Sequence, residues 1–157
     1  GNFERDEAVG LLRAMRDTVG PGGQALIGID LDKDPEVIEA AYNDAAGVTA
    51  EFTLNLLARL NREIGSDFDL GQFRHRARYS QERRRIETFL VSQCAQDVRV
   101  DGRRFRFEAG EAMLVETSHK YTDADFAAMA SEAGWQVAQA WNDPKDWFGL
   151  RLLRSAS

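Results

Sequence analysis

The sequence predicts an α/β fold in which part of an open sheet is followed by a β-rich, antiparallel insertion. Three observations predict it. A helical pattern, a glycine-proline turn and an apolar strand pattern follow one another within the first 31 residues. Between residues 74 and 121, helical spacing gives way to short alternating segments separated by turn residues. A helical pattern and two strand patterns then close the chain, so strands and helices alternate at both ends.

The first elements predict one part of an α/β unit. Apolar residues at helical spacing and early acidic residues predict a helix over 5–19, which Gly20-Pro21-Gly22-Gly23 ends. The run 25–31 is apolar with almost no alternation, which is typical of a strand covered on both faces. Polar residues at 30–34 follow this strand at its carboxyl end, where open α/β sheets bind ligands.

The remaining elements are predicted from periodicity and turn chemistry. Asp34 and Pro35 predict the start of a helix over 35–42, and a second helix runs over 49–64 to Gly65. Five strands are then expected in an antiparallel meander, at 74–79, 86–92, 96–100, 104–107 and 113–121. A helix over 123–133 and strands at 135–141 and 148–153 finish the chain. A final strand that pairs antiparallel with its neighbour is typical of several Rossmann-like sheets.

Composition limits the function classes. The chain has 157 residues, 43% of them apolar, and a formal charge of −6, so it is expected to be globular and to have no nucleic-acid partner. The single cysteine, Cys94, rules out an internal disulfide and a thiolate zinc cluster and favours the cytoplasm. Apolar runs are too short to cross a membrane, and no leader pattern precedes the first helix. We therefore expect no membrane partner.

Local patterns predict the setting of several polar residues. His75 is expected on the solvent face of a strand, and the run Arg83-Arg84-Arg85 is expected in a solvated turn. His75 and His119 lie in different strands without partners at metal-ligand spacing, so no metal site is expected. Glu116 and Ser118 alternate onto one strand face, either as a solvated strand end, which spacing alone favours, or as a site for a nitrogen-bearing ligand.

Longer strings of residues resemble one family. They are Gly1-Asn2-Phe3, residues 26–34, residues 40–52 with 55–57, residues 116–121, and the closing 142–144 and 148–150. In this order they resemble the histidine-specific S-adenosylmethionine-dependent methyltransferase family, which includes the ergothioneine-pathway L-histidine Nα-methyltransferases. The resemblance covers essentially the whole chain.

The resemblance implies that the chain is the carboxyl-terminal portion of such an enzyme, since the family's glycine-asparagine pair lies well inside a longer protein. It implies the second half of a Rossmann-like class I methyltransferase sheet with a β-rich substrate-binding insertion. The expected segments are a partial sheet core at 1–45, the insertion at 46–122, and a closing helix and hairpin at 123–157. The cofactor is S-adenosylmethionine, whose contacts are expected upstream, so this portion alone is expected to be inactive.

The resemblance also implies residue roles. Asn2 contacts the amino-acid moiety of the substrate, and Tyr42 helps to hold its carboxylate. Glu116 and Ser118 bind the imidazole, whose two nitrogens offer one donor and one acceptor when the ring is neutral. Thr88 stands where some relatives carry a methionine that lines the substrate pocket. No residue is expected to form a covalent intermediate, because methyl transfer to an amine requires mainly orientation.

The implied function is methylation of the histidine α-amino group, the first step towards ergothioneine, by way of hercynine. One alternative is a methyltransferase for another amino acid or amine, such as a tryptophan derivative, which Thr88 favours. Another is a non-catalytic module that binds an amino acid. The sequence leaves the oligomeric state open.

Overall fold

The computed structural model describes residues 1–155 of the chain. These residues form four α-helices and eight strands, in the order α1 Arg5–Val19, β1 Gln24–Asp30, α2 Pro35–Tyr42, α3 Val48–Ile64, β2 Phe73–Ser80, β3 Arg85–Ser92, β4 Gln96–Val100, β5 Arg103–Phe107, β6 Ala112–His119, α4 Asp123–Glu132, β7 Trp135–Asn142 and β8 Phe148–Ser155. A short 3₁₀ turn, Leu70–Gln72, precedes β2. The α/β class and the β-rich insertion are confirmed.

The described chain divides into two units. The first unit contains residues 1–34, 81–85 and 118–155, and the second contains residues 35–80 and 86–117. The three-segment division at 1–45, 46–122 and 123–157 stays a prediction, and residues 156 and 157 of its last segment lie outside the described residues.

The first unit is a three-stranded sheet packed on α1 and α4. Strand β8 lies between β1 and β7 and is antiparallel to both, so β1 and β7 run in the same direction. The predicted antiparallel finish of the sheet is thereby confirmed. At Gly28, an added Cβ would lie 2.6 Å from the Phe148 ring, so a larger residue there would require the exposed Phe148 side chain to move. Trp135 is buried in the core, and its indole Nε1 donates to the backbone oxygen of Leu12 at 2.8 Å.

Strand β1 is covered on one face only, which corrects the sequence prediction. Ala25, Ile27 and Ile29 pack into the core with α1 and α4, because alternation puts every second side chain on the same face. Leu26 points the other way and is 59% exposed. Within residues 1–155, β1 also forms an edge of its sheet. The unbroken apolar pattern of this strand therefore does not match its burial here.

The second unit packs α2 and α3 against the insertion strands. Its larger core contains Leu57, Phe68, Phe73, Leu90 and Val98. Strands β4 and β5 form an antiparallel hairpin whose turn, Asp101-Gly102, has positive φ at both positions. The sheet order is β2-β3-β6, so β6 lies beside β3 rather than beside β5. The insertion is therefore not the simple meander that the sequence predicted.

Helix boundaries follow local signals. Gly65 ends α3 in the left-handed conformation, with φ of 65°.

No helix in the part of the chain that is described combines the length and the apolar character that crossing a membrane requires.

Candidate functional site

A buried ion pair lies where β1 ends in the first unit. The Lys120 side chain is 0% exposed, and its ammonium donates to Asp30 Oδ2 at 2.7 Å and to Ser118 Oγ at 3.0 Å. Lys33 pairs with the other oxygen of Asp30 and donates to the Trp147 backbone oxygen at 2.7 Å. Burial by itself would raise the pKa of Asp30, but the hydrogen bonds from Lys120 and Lys33 outweigh it and hold the pKa below its usual value.

The segment that carries Asn2 lies against this cluster. The Gly1 backbone oxygen accepts a hydrogen bond from the His119 amide at 2.7 Å. A Cβ added at Gly1 would lie 3.0 Å from Ser118 Oγ, so the close approach of this backbone favours glycine. Asn2 itself is exposed. The structure thus brings two of the predicted site residues, Asn2 and Ser118, into the same region of the first unit.

The predicted solvated turn at Arg83-Arg84-Arg85 is confirmed for Arg83 and Arg84, which are exposed in a turn, and is wrong for Arg85, which begins β3. Arg85 is 4% exposed and pairs with Glu4, and Arg84 pairs with Asp125. The Glu4 carboxylate, which directly precedes α1, compensates the charge of Arg85, because a buried guanidinium requires an acidic partner.

His119 is half-buried near Arg85. Its Nε2 lies 3.7 Å from Glu4 Oε2. Burial lowers the pKa of the imidazole, the Glu4 carboxylate raises it, and Arg85 lowers it again, so the pKa lies below its usual value. His119 is therefore expected to be neutral at pH 7.

Tyr42 lies at the end of α2 in the second unit. The side chains of His75 and Asn43 connect this end of the helix to β2. Its backbone oxygen accepts from His75 Nε2 at 2.9 Å. The Asn43 side chain donates to the Ala77 backbone oxygen at 2.9 Å and accepts from the Ala77 amide at 3.1 Å. His75 is thus half-buried against α2 rather than on the solvent face, which corrects the prediction. The Tyr42 ring packs on the small core that contains Ala77.

Thr88 is buried in β3 and is 1% exposed. Alternation places it on the same face as Ile86 and Leu90, which are both core residues. Its hydroxyl has no hydrogen-bond partner among the described residues, which is uncommon for a buried polar atom. The hydroxyl therefore retains a donor and an acceptor inside the second unit.

Glu116 lines an open cleft between β6 and α3 in the second unit. The cleft has a volume of about 300 Å³ and is lined by Phe52, Thr53, Asn55, Leu56, Arg59, Val115 and Glu116. Its walls combine apolar side chains with one carboxylate and one guanidinium. An ionised carboxylate accepts hydrogen bonds only, so Glu116 suits the N–H group of a ring ligand.

The predicted site residues thus fall into two sets. Asn2 and Ser118 belong to the first unit, and Tyr42, Thr88 and Glu116 belong to the second. Glu116 and Ser118 are two positions apart in β6. Sequence analysis assigned no role to Lys120, two positions after Ser118, and it missed Asp30 as the partner of that lysine. The signal was present as an acidic residue at the end of an apolar strand.

No residue in the described part of the chain is assigned to a cofactor. Gly20-Pro21-Gly22-Gly23 lies between α1 and β1, before a strand rather than after one. Cofactor-binding α/β folds place the glycine-rich loop between a strand and the following helix. Residues 1–155 therefore do not offer this loop.

Comparison with known proteins gives a consistent result. A histidine N-alpha-methyltransferase of Mycolicibacterium smegmatis is 42% identical over 154 residues, which cover 97% of this chain and 48% of that protein. An ergothioneine biosynthesis protein 1 of Neurospora crassa is 33% identical over a region that covers 98% of this chain and 17% of that protein. An L-tryptophan methyltransferase of Psilocybe serbica is 29% identical over a region that covers 99% of this chain and 44% of that protein. The chain thus spans about half the length of the Mycolicibacterium smegmatis relative and a smaller share of the two fungal relatives.

A family model described as "Histidine-specific methyltransferase, SAM-dependent" matches residues 1–155, all the residues that the structure describes. The chain belongs to this family of histidine-specific, S-adenosylmethionine-dependent methyltransferases.

Proposed function

We propose that this chain is the substrate-binding part of an S-adenosylmethionine-dependent N-methyltransferase that acts on the α-amino group of L-histidine. The observation that carries the proposal is the match of the histidine-specific family over residues 1–155. The name of the bacterial relative, a histidine N-alpha-methyltransferase, supports the same substrate. The product, hercynine, belongs to ergothioneine synthesis, in keeping with the name of the fungal relative. A cytoplasmic location is part of the proposal.

Glu116 and Ser118 are the proposed ligands of the imidazole. Glu116 stands in a partly apolar cleft, where a carboxylate that accepts from a ring N–H discriminates strongly against rings without that donor. Ser118 offers a hydroxyl for the second nitrogen. These two types of group match the donor and the acceptor of a neutral imidazole.

Tyr42 and Asn2 are the proposed ligands of the amino-acid end of the substrate. The backbone of Tyr42 is fixed to β2 through His75, and the neighbouring Asn43 binds Ala77 in the same strand. This gives the Tyr42 phenol a rigid base from which to bind a carboxylate. Asn2 follows Gly1, whose backbone approaches Ser118 closely, and its exposed amide offers both a donor and acceptors.

The chemistry asks little of the protein beyond binding and orientation. S-adenosylmethionine supplies the methyl group, and the acceptor is the lone pair of a neutral amine. An unperturbed α-amino group has a pKa of about 8, so a neutral fraction is present at pH 7 without a dedicated base. The contribution of this chain is then to hold the amine in one orientation, which accounts for a large part of many rate enhancements.

A second candidate is methylation of another amine. It is favoured by Thr88, which the family resemblance puts where some relatives carry a pocket methionine, and whose buried hydroxyl has no partner among the described residues. The similarity to an L-tryptophan methyltransferase supports the same alternative. A non-catalytic amino-acid-binding module is the third.

The test is to incubate the full-length protein that contains this chain with S-adenosylmethionine carrying a labelled methyl group and, in turn, each of the common amino acids. We expect label in histidine and at most traces in the others. Preferential labelling of another amino acid would replace histidine as the substrate, and histidine binding without any label would support the non-catalytic module.

A further inference from the structure

Two polar atoms of the second unit are buried without a hydrogen-bond partner among the described residues. They are Thr88 Oγ1 and His75 Nδ1. Thr88 is 1% exposed. Most buried polar atoms in folded proteins have a partner, because an unpaired one destabilises the fold. These two atoms therefore indicate a site for a group from outside the described chain.

Both side chains lie where the two cores of the second unit meet. Strands β2 and β3 are neighbours in one sheet, and alternation puts every second side chain on its inner face. On that face, each of the two polar residues stands between one residue of the larger core and one of the small core. These flanking residues are Phe73 and Ala77 around His75, and Leu90 and Ile86 around Thr88. His75 and Thr88 therefore lie on neighbouring strands at the same boundary between the cores.

The bond that the other ring nitrogen makes fixes the polarity of His75 Nδ1. His75 Nε2 lies 2.9 Å from the Tyr42 backbone oxygen, which only accepts hydrogen bonds. Nε2 therefore carries the hydrogen, and Nδ1 of the neutral ring is an acceptor. The Thr88 hydroxyl can donate or accept, but it does not bond to Nδ1 directly, since both atoms lack a partner. A third group that donates to Nδ1 and bonds to the hydroxyl would satisfy both.

We propose that His75 and Thr88 form a polar subsite for one small group that donates an O–H or N–H hydrogen bond to His75 Nδ1 and pairs with the Thr88 hydroxyl. Two sources share this chemistry, a water molecule held inside the fold and a polar group of the substrate. Only the second source rests on the proposed function. Buried waters typically bond about three polar groups that would otherwise lack partners, so the first source is equally consistent with the two atoms.

The two sources differ in what the Thr88 hydroxyl contributes before any substrate binds. With a water molecule in place, the hydroxyl is bonded in the free protein, and its removal destabilises the fold. With a substrate group as the partner, the hydroxyl is unpaired in the free protein, so its removal stabilises the fold and weakens substrate binding. Valine has the branched shape of threonine without the hydroxyl, so Thr88→Val distinguishes the two sources.

Ser92 provides a control on the same face of β3. It is 0% exposed, and its Oγ donates to the Cys94 backbone oxygen at 2.8 Å and accepts from Gln96 Nε2 at 2.6 Å. Ser92→Ala therefore removes a buried hydroxyl whose partners both belong to the chain. It should lower the Tm and leave the KM of histidine unchanged, which calibrates the loss of a bonded hydroxyl in this strand.

The experiment measures the Tm of the ligand-free, full-length protein and the KM of histidine for wild type, Thr88→Val and Thr88→Ser. A bound water predicts that Thr88→Val lowers the Tm by about 2 °C and keeps the KM within about twofold. A substrate group predicts a Tm about 2 °C higher and a KM about tenfold higher. Thr88→Ser keeps the hydroxyl and should retain the wild-type KM in both cases.

His75→Gln tests whether the two residues share one group. Glutamine keeps an amide donor for the Tyr42 backbone oxygen and removes the acceptor Nδ1. Because both side chains bond to the same group, the effect of Thr88→Val with His75→Gln should be smaller than the sum of the two single effects. This holds for the Tm if the group is water and for the KM if it belongs to the substrate.

A Tm that rises or stays the same in Thr88→Val, with an unchanged histidine KM, would overturn the inference, because the hydroxyl would then serve no group. Strictly additive effects of the two substitutions would overturn it as well. The Tm does not depend on activity, so the subsite and the proposed function can fail separately. In a protein that does not methylate histidine, a lower Tm in Thr88→Val still supports the subsite, and an equal or higher Tm refutes it.

Discussion

Glu116 is the side chain that we propose selects the ring of the substrate. It lines a cleft with apolar residues of α3, where water competes less for its oxygens than at an open surface. A hydrogen bond from a ring N–H to a carboxylate in such a place contributes about 1.5–3 kcal/mol. Loss of the carboxylate should therefore weaken the binding of histidine and leave the cofactor unaffected.

We predict that Glu116→Ala raises the KM of histidine by about 10- to 100-fold, the range that corresponds to the loss of one charged hydrogen bond. Steady-state kinetics of the full-length protein measure it. Glu51→Ala is the control, because Glu51 is an exposed glutamate of α3 outside the cleft lining. Equal effects of the two substitutions would argue against the role proposed for Glu116.

Individual side chains were the hardest feature to predict from the sequence. The strand around His75 is rich in arginine and predicts a solvent face, yet the imidazole binds the Tyr42 backbone 33 residues away in the chain. Arg85 is buried because Glu4, 81 residues away, pairs with it. In both cases a distant partner decides the burial, and no local pattern records that partner. The assigned roles of Asn2, Tyr42, Thr88, Glu116 and Ser118 remain predictions.

At the scale of elements, the start of α3 shows how a loop residue caps a helix. Gly47 precedes the helix in the left-handed conformation, with φ of 74°, and supplies no side-chain cap. The Asp44 carboxylate instead accepts from the amides of Val48 and Thr49, each at 2.9 Å. Two of the first amides of the helix, which otherwise lack partners, are thereby satisfied.

This cap predicts a pH dependence of stability. Hydrogen bonds from Thr49 first, and then from Val48, hold the pKa of Asp44 below its usual value. A carboxyl group whose pKa is lower in the folded state stabilises it fully above the unfolded pKa of about 4, and this stabilisation is lost as the pH falls through the folded pKa.

Thermal unfolding of wild type and Asp44→Ala should therefore differ at pH 7 and converge as the acid range is entered. Asp44→Asn, which keeps an acceptor oxygen and does not titrate, should retain most of the stability at pH 7 and lose less of it in acid. A difference between wild type and Asp44→Ala that stays constant with pH would contradict this interpretation of the cap.

Element boundaries were predictable because short-range chemistry sets them. Gly65 and the Asp101-Gly102 turn adopt positive φ, as their residue types favour, and the helix and strand ends follow from them. The position of β6 beside β3 was not predictable in this way. That pairing joins strands separated by the β4-β5 hairpin, and only tertiary packing selects it.

At the scale of the whole molecule, each unit has a core of its own. Trp135, Val9 and Leu153 lie at the centre of the first, and Leu57, Leu90 and Val98 lie at the centre of the second. The fold class was predictable, because the change from helical to alternating periodicity near residue 74 marks the insertion, and the final hairpin marks the closing sheet. The exposed face of β1 was not, since a strand pattern does not reveal which neighbours cover it.

The proposed function depends on which amino acid the enzyme selects. Histidine and tryptophan are the two substrates to compare, because they differ in the side-chain ring. They share the amino-acid end that Tyr42 and Asn2 are proposed to bind. Only the imidazole offers an acceptor nitrogen as well as an N–H. Competition between the two amino acids therefore isolates recognition of the ring.

The full-length protein is given equal concentrations of L-histidine and L-tryptophan with S-adenosylmethionine. The products are then fragmented in tandem mass spectrometry to locate the methyl groups. We predict that they are found on the α-nitrogen of histidine, with tryptophan essentially unmodified. Methylated tryptophan as the main product, or methylation of histidine on a ring nitrogen, would contradict the proposed function.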